Sequence, residues 1–188
     1  MDNRGMTDLH WSSLDTPVGE VSVGCSPAGI AQVRFGSPPG GRADARGSLD
    51  DDLPERARRQ LGEYFCGQRR DFDLPLDWSA TSAAQRHVLE VLAESVGYGV
   101  TTSYGALASR AGLVAEGDVV PARAVGKIMG SNPIPVIVPC HRVLASDGLG
   151  GYSGGAGPEV KRWLLILEGS LPPTLDWQPA APLPEHAG

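Results

Sequence analysis

Short β-branched runs come first along the chain, and helix-spaced apolar stripes follow. Within residues 16–36, Val21-Ser22-Val23 and Ala31-Gln32-Val33-Arg34-Phe35 alternate apolar with polar and are split by Pro27-Ala28-Gly29, which predicts a hairpin or meander. Ser37 to Gly47 is rich in Gly, Pro and Arg and reads as a surface loop. From Leu53 to Phe65, Ala57, Leu61, Tyr64 and Phe65 fall near one face, with Pro54 tolerated in the first turn, so a helix is predicted there. Arg69 to Trp78 alternates around Pro75 and reads as an extended edge or linker. Beyond it, Val88, Leu89, Val91 and Leu92 give a helix over 84–96, stopped by Gly97-Tyr98-Gly99. Ser103 is placed to cap a helix to about Ala111, and Pro121 opens another through Ala124, Val125, Ile128 and Met129 that ends near Gly130. Pro158 to Leu167 is the last predicted helix.

These elements predict an α+β chain. A small N-terminal α/β domain with antiparallel strands covers 1–78, and a mostly helical domain covers 79–170. Residues 171–188, rich in Pro and Ala, read as a disordered tail. The two short helices after Ser103 have the outline of a helix-turn-helix, although an ordinary helical hairpin has the same outline.

Composition adds compartment and partner arguments. The 188 residues are 41% hydrophobic and 20% charged, ordinary for a soluble globular protein. Three cysteines, with neither a signal-peptide pattern nor a long apolar run, predict free thiols in a reducing, cytoplasmic setting with no membrane partner. The net charge of −6 argues at first against nucleic acid. Its distribution changes that argument: residues 80–170 hold 7 Lys+Arg against 7 Asp+Glu, so the acidity lies outside the predicted helical domain.

Candidate chemistry lies in Pro139-Cys140-His141-Arg142-Val143, directly after Ile134-Pro135-Val136-Ile137-Val138. A thiol with a pKa of about 8.5 is mostly protonated at neutral pH, so nucleophilic work needs a base or a positive field, and His141 can supply either. Sequence neighbours seldom meet side chain to side chain, so a tight turn, a bridging water, or both are expected here. Cys140 could equally be a small buried hydrophobe ending a core strand. The prolines at 133, 135 and 139 favour the first reading, because a routine central strand would not tolerate them.

In order and spacing, Arg123-Ala-Val-Gly, Asn132-Pro-Ile-Pro, Pro139-Cys-His-Arg-Val, Gly151-Tyr-Ser-Gly-Gly, Lys161, Leu164-Leu165 and Glu168-Gly169 resemble the O6-alkylguanine-DNA alkyltransferases. Upstream, Tyr98-Gly-Val-Thr-Thr-Ser-Tyr-Gly resembles the family's segment before its helix-turn-helix. Thr16-Pro-Val-Gly and Glu63-Tyr-Phe-Cys-Gly are looser likenesses. The resemblance implies DNA repair by irreversible, stoichiometric transfer of an alkyl group from O6 of guanine to Cys140, a single-turnover methyltransferase reaction. His141 would take the thiol proton through a water, and Glu168 would orient the imidazole. Arg123 would fill the gap left by a flipped nucleotide, and Tyr104 would crowd its phosphate and bond the guanine. Met129, Val143, Tyr152, Ser153 and Gly154 would line or close the pocket, with Asn132 bracing the turn. The implied partner is double-stranded DNA bound by a monomer, and no cofactor is implied. Cys25, Cys66, His10 and His87 lack metal-ligand spacing, so no metal is expected.

The chain departs from the family in three places: 113–122 is longer than the usual inter-helix turn and carries two acids, 156–159 extends the pocket loop, and Ala84 precedes Gln85 where the family usually has an aromatic. Two rivals stand beside this reading. One is a non-catalytic lesion binder of the same fold, although such relatives replace the cysteine. The other is a Cys-His-Glu hydrolase.

Overall fold

A computed structural model describes residues 9–41, 53–115, 120–146, 148–152 and 157–173. Three antiparallel strands form the first layer: β1 (His10–Thr16), β2 (Gly19–Ser26) and β3 (Gly29–Phe35), in that order. β2 and β3 are the predicted hairpin. β1 lies outside the predicted runs, because only Trp11 of its seven residues is buried and the rest carry little period-two signal. Its indole lies over Gly24, the opposite residue in the register, where a Cβ would come within 2.9 Å of the ring.

Helix α1 (Leu53–Phe65) packs on this sheet through the predicted stripe of Ala57, Leu61, Tyr64 and Phe65, all buried. After it, 69–78 runs extended as expected. Ile30 N–H donates to Pro75 O at 2.8 Å and Asp77 N–H to Ile30 O at 2.8 Å, adding a short parallel bridge. Gln60 on α1 holds the same segment by exchanging two hydrogen bonds with the Asp73 backbone. Gly29 is required here: its φ is +151°, and a Cβ would stand 2.5 Å from Pro75 O.

Four helices follow: α2 (Ala83–Ser95), α3 (Tyr104–Arg110), α4 (Pro121–Gly130) and α5 (Gly157–Leu167). Ser82 and Ser103 cap α2 and α3 by accepting from Gln85 N–H and Ala106 N–H. Pro121 occupies the first turn of α4, where its missing donor costs nothing. The helices share one core with the sheet, through Val88, Leu92, Leu107, Val125, Ile134 and Leu164. Val33 N–H on β3 donates to Pro133 O at 2.9 Å, tying the sheet to the approach to Cys140. A two-residue parallel ladder, β4 (Thr102–Ser103) with β5 (Val143–Leu144), joins the start of α3 to the segment after Cys140. Among the described residues, no helix is long and apolar enough to cross a membrane.

Candidate active site

The tight turn expected around the thiol is present. Cys140–Arg142 forms one 3₁₀ turn, in which Arg142 N–H reaches Pro139 O at 2.9 Å and Cys140 N–H reaches Val138 O at 2.8 Å. Its approach is strained: Val136 is buried and β-branched, yet has φ +74°, a conformation costing of order 1–3 kcal/mol. Asn132 supplies the restraint. Its Nδ2 donates to Val138 O at 3.0 Å and its Oδ1 accepts from Ile134 N–H at 3.0 Å, so one buried amide brackets the bend.

Beside the turn lies a buried charge network. His141 Nε2 stands 2.9 Å from Glu168 Oε1, and Glu168 follows the last residue of α5. The isolated reading of Glu168 as a solvated carboxylate fails, since it is 5% exposed. Arg142 is its second partner, with Nε donating to Oε2 and Nη2 to Oε1, each at 2.9 Å. Tyr64 of α1 is the third, with Oη donating to Oε1 at 2.6 Å. Burial alone would raise the Glu168 pKa, but hydrogen bonds and charges from His141 and Arg142 outweigh it and bring it to about 2. For His141, burial dominates and lowers the pKa, with Glu168 opposing. The imidazole is therefore neutral at rest, and its buried Nδ1 has no protein partner among the described residues.

A cation also lies within electrostatic reach of Cys140. Lys161 on α5 is fully buried, and Nζ donates to Val143 O at 2.7 Å and Gly151 O at 3.1 Å. Burial lowers its pKa to about 8, with the cysteine pulling the other way. Tyr104 and Tyr152 feel Cys140 too, and burial raises both phenols. Tyr104 packs against Gly150, where a Cβ would meet its Oη at 3.2 Å. Tyr152 sets its ring edge-on to Phe35 at 6.0 Å and keeps a buried hydroxyl without a protein partner among the described residues. Val143 and Met129 are buried in the apolar core nearby.

Arg123 is exposed in the first turn of α4 and takes no part in the buried cluster. A cation at a helix N-terminus is unfavourable for the dipole. Ser153 and Gly154 lie outside the described residues, as do 116–119 of the long inter-helix stretch and most of the tail. Sequence reasoning passed over Tyr64 and Arg142, and gave Lys161 no role. For Arg142 a signal existed, because an arginine next to the apolar run and the Cys-His pair is costly to bury without a carboxylate partner. Tyr64 offered only its place on the apolar stripe of α1.

Two family profiles match the chain. Residues 9–78 match the 6-O-methylguanine DNA methyltransferase, ribonuclease-like domain, and residues 83–170 match the DNA binding domain of the same name. A methylated-DNA–protein-cysteine methyltransferase of Mycobacterium tuberculosis is 36% identical over 166 residues, covering 88% of this chain and 95% of the relative. This chain belongs to the 6-O-methylguanine DNA methyltransferase family.

Solved methyltransferase structures agree in fold. The crystal structure of Mycobacterium tuberculosis OGT in complex with DNA aligns at TM-score 0.68 and 34% identity, covering 86% of this chain and 93% of that one. A DNA base-flipping protein of Thermus thermophilus is also similar to this chain. It is 39% identical over 160 residues, covering 84% of this chain and 99% of the relative. In this chain Cys140 opens the 3₁₀ turn described above.

Proposed function

We propose that this protein repairs DNA by direct reversal, moving a methyl or larger alkyl group from O6 of guanine onto Cys140. The observation that carries the reading is a cysteine held in a buried 3₁₀ turn whose next residue is a histidine paired to a carboxylate. The Cys140 proton passes through a water to His141 Nδ1. The sulfur then attacks the alkyl carbon in line, an S–C bond forms, and the C–O6 electron pair returns to the base, leaving unmodified guanine. A thioether has no easy hydrolysis route, so each molecule acts once. Glu168 stabilises the imidazolium that forms.

The reacting carbon is inaccessible inside a duplex, so the nucleotide is flipped out. Arg123, on the exposed start of α4, fills the vacated stack, and Tyr104 contacts the flipped nucleotide. Met129, Val143, Tyr152, Ser153 and Gly154 wall the pocket, and Asn132 keeps the nucleophile's turn in place. The protein acts as a monomer in the cytoplasm, a reducing setting that suits a nucleophilic thiol at Cys140.

The rival reading is lesion binding without chemistry. Incubation with duplex DNA carrying labelled O6-methylguanine, followed by peptide mass mapping, separates them. Transfer leaves one methyl per protein on Cys140, and Cys140→Ala abolishes it while lesion binding persists. Absence of label, or label on Cys25 or Cys66, overturns the assignment.

A further inference from the structure

We propose that Tyr64 is a positioning residue for alkyl transfer: from the N-terminal part of the chain it fixes the tautomer of His141 and limits its basicity. The inference rests on the reading of Cys140 and His141 given above. Tyr64 lies on α1, within the ribonuclease-like segment, whereas Cys140, His141 and Glu168 all lie in the DNA-binding segment. Its ring is fully buried, wedged among Phe65, Phe72 and Tyr98 at centroid distances of 5.5, 5.4 and 6.2 Å. The hydroxyl therefore has little freedom to leave the network.

The hydrogen-bond inventory determines the tautomer. The single Tyr64 hydroxyl hydrogen is committed to Glu168 Oε1 at 2.6 Å, and its oxygen stands 3.4 Å from His141 Nε2. Nε2 thus faces two acceptors, a carboxylate oxygen at 2.9 Å and a phenol oxygen. A bare nitrogen there would meet only lone pairs, so Nε2 carries the hydrogen and Nδ1 holds the free pair that can accept the thiol proton.

The same geometry limits basicity. Oε1 receives Tyr64, His141 and Arg142 together, and each added donor spreads its charge further. Less of that charge is left to stabilise an imidazolium. The other groups acting on His141 are Arg142 and Lys161, both cationic and both opposing protonation, and Cys140 beside it in the turn. Tyr98 and Tyr152 add phenols around Glu168. Burial and the adjoining carboxylate hold the Tyr64 phenol well above its usual pKa, so it remains a donor at every working pH.

The test titrates the Cys140–His141 pair by the rate of iodoacetamide modification at Cys140, read by peptide mass mapping from pH 5 to 9 in the full-length protein. Such a pair titrates in two macroscopic steps. Tyr64→Phe should move the lower step up by about one unit, because Glu168 then acts on the imidazole less shared. In a Glu168→Gln background the same substitution should move nothing. A ring-fluorinated tyrosine at position 64, which keeps the shape and donates more strongly, should move the lower step down. An unmoved step in folded Tyr64→Phe, a shift that survives Glu168→Gln, or the same direction for both Tyr64 variants overturns the proposal. Alkyl transfer from O6-methylguanine DNA is measured in parallel. Its absence in the wild type would reject the repair reading, while the titration would still report on Tyr64.

Discussion

Arg142 and Glu168 meet as a two-pronged ion pair, both hydrogen bonds at 2.9 Å and both residues at most 6% exposed. A guanidinium stays charged at any working pH, so Glu168 remains an anion whether His141 is protonated or not. His141 thus borrows a carboxylate whose charge another residue guarantees, and Arg142 Nη1 anchors the assembly to Val96 O at 2.7 Å.

Arg142→Gln should therefore destabilise the fold strongly. It leaves a buried carboxylate without its cation, a change of about 3–5 kcal/mol in comparable pairs. Urea unfolding at neutral pH measures it. A loss under about 1 kcal/mol would mean that the pair is open to solvent.

Glu168→Gln should slow alkyl transfer and change its pH dependence. The carboxylate raises the His141 pKa against the burial that lowers it, so its loss lowers that pKa further and reduces the thiolate fraction at neutral pH. The rate should partly recover as pH rises toward the free thiol value of about 8.5, where solvent deprotonates Cys140 directly. Wild-type rates at every pH would remove Glu168 from the mechanism.

Acid should weaken the fold in a defined window. The Glu168 pKa is about 2 in the folded protein against 4.5 for an ordinary glutamate, so the stabilisation is complete above about 4.5 and lost as pH falls toward 2. The depressed His141 pKa acts in the same direction below 6.5, because unfolding then takes up a proton. Together they predict stability falling steadily below about pH 6.5. In urea titrations Glu168→Gln should remove the carboxylate's share of that fall, while the His141 share still begins near pH 6.5 and extends to lower pH, because the imidazole pKa drops further without Glu168.

Arg123→Ala should separate flipping from chemistry. Filling the vacated stack offsets a few kcal/mol of unstacking, so transfer from duplex DNA should slow by roughly tenfold or more. Transfer from a free O6-alkylguanine base needs no flipping and should hardly change. Equal slowing on both substrates would assign Arg123 to the pocket.

Legibility in the sequence followed the range of each interaction. Helix α1 was readable at Leu53–Phe65 because Pro54 and four stripe residues are local signals, and Ser103 and Pro121 likewise mark the starts of α3 and α4. β1 was not readable, since Ser12, Ser13 and Asp15 give no apolar alternation and its pairing depends on β2. In the site, Cys140 and His141 declare themselves by adjacency, while Glu168 required the family resemblance. Tyr64 and Glu168 are 104 positions apart, and nothing local to either one names the other.

The short ladder between Thr102-Ser103 and Val143-Leu144 works as a fixed gauge. Ser103 both pairs with Leu144 and caps α3 with its hydroxyl, so the ladder and the cap together set the offset from the front of α3 to Cys140. α4 packs directly on α3, so the same ladder also ties α4 to the turn that holds Cys140. A change in the Thr102–Val143 pairing would therefore move both helices together relative to the thiol.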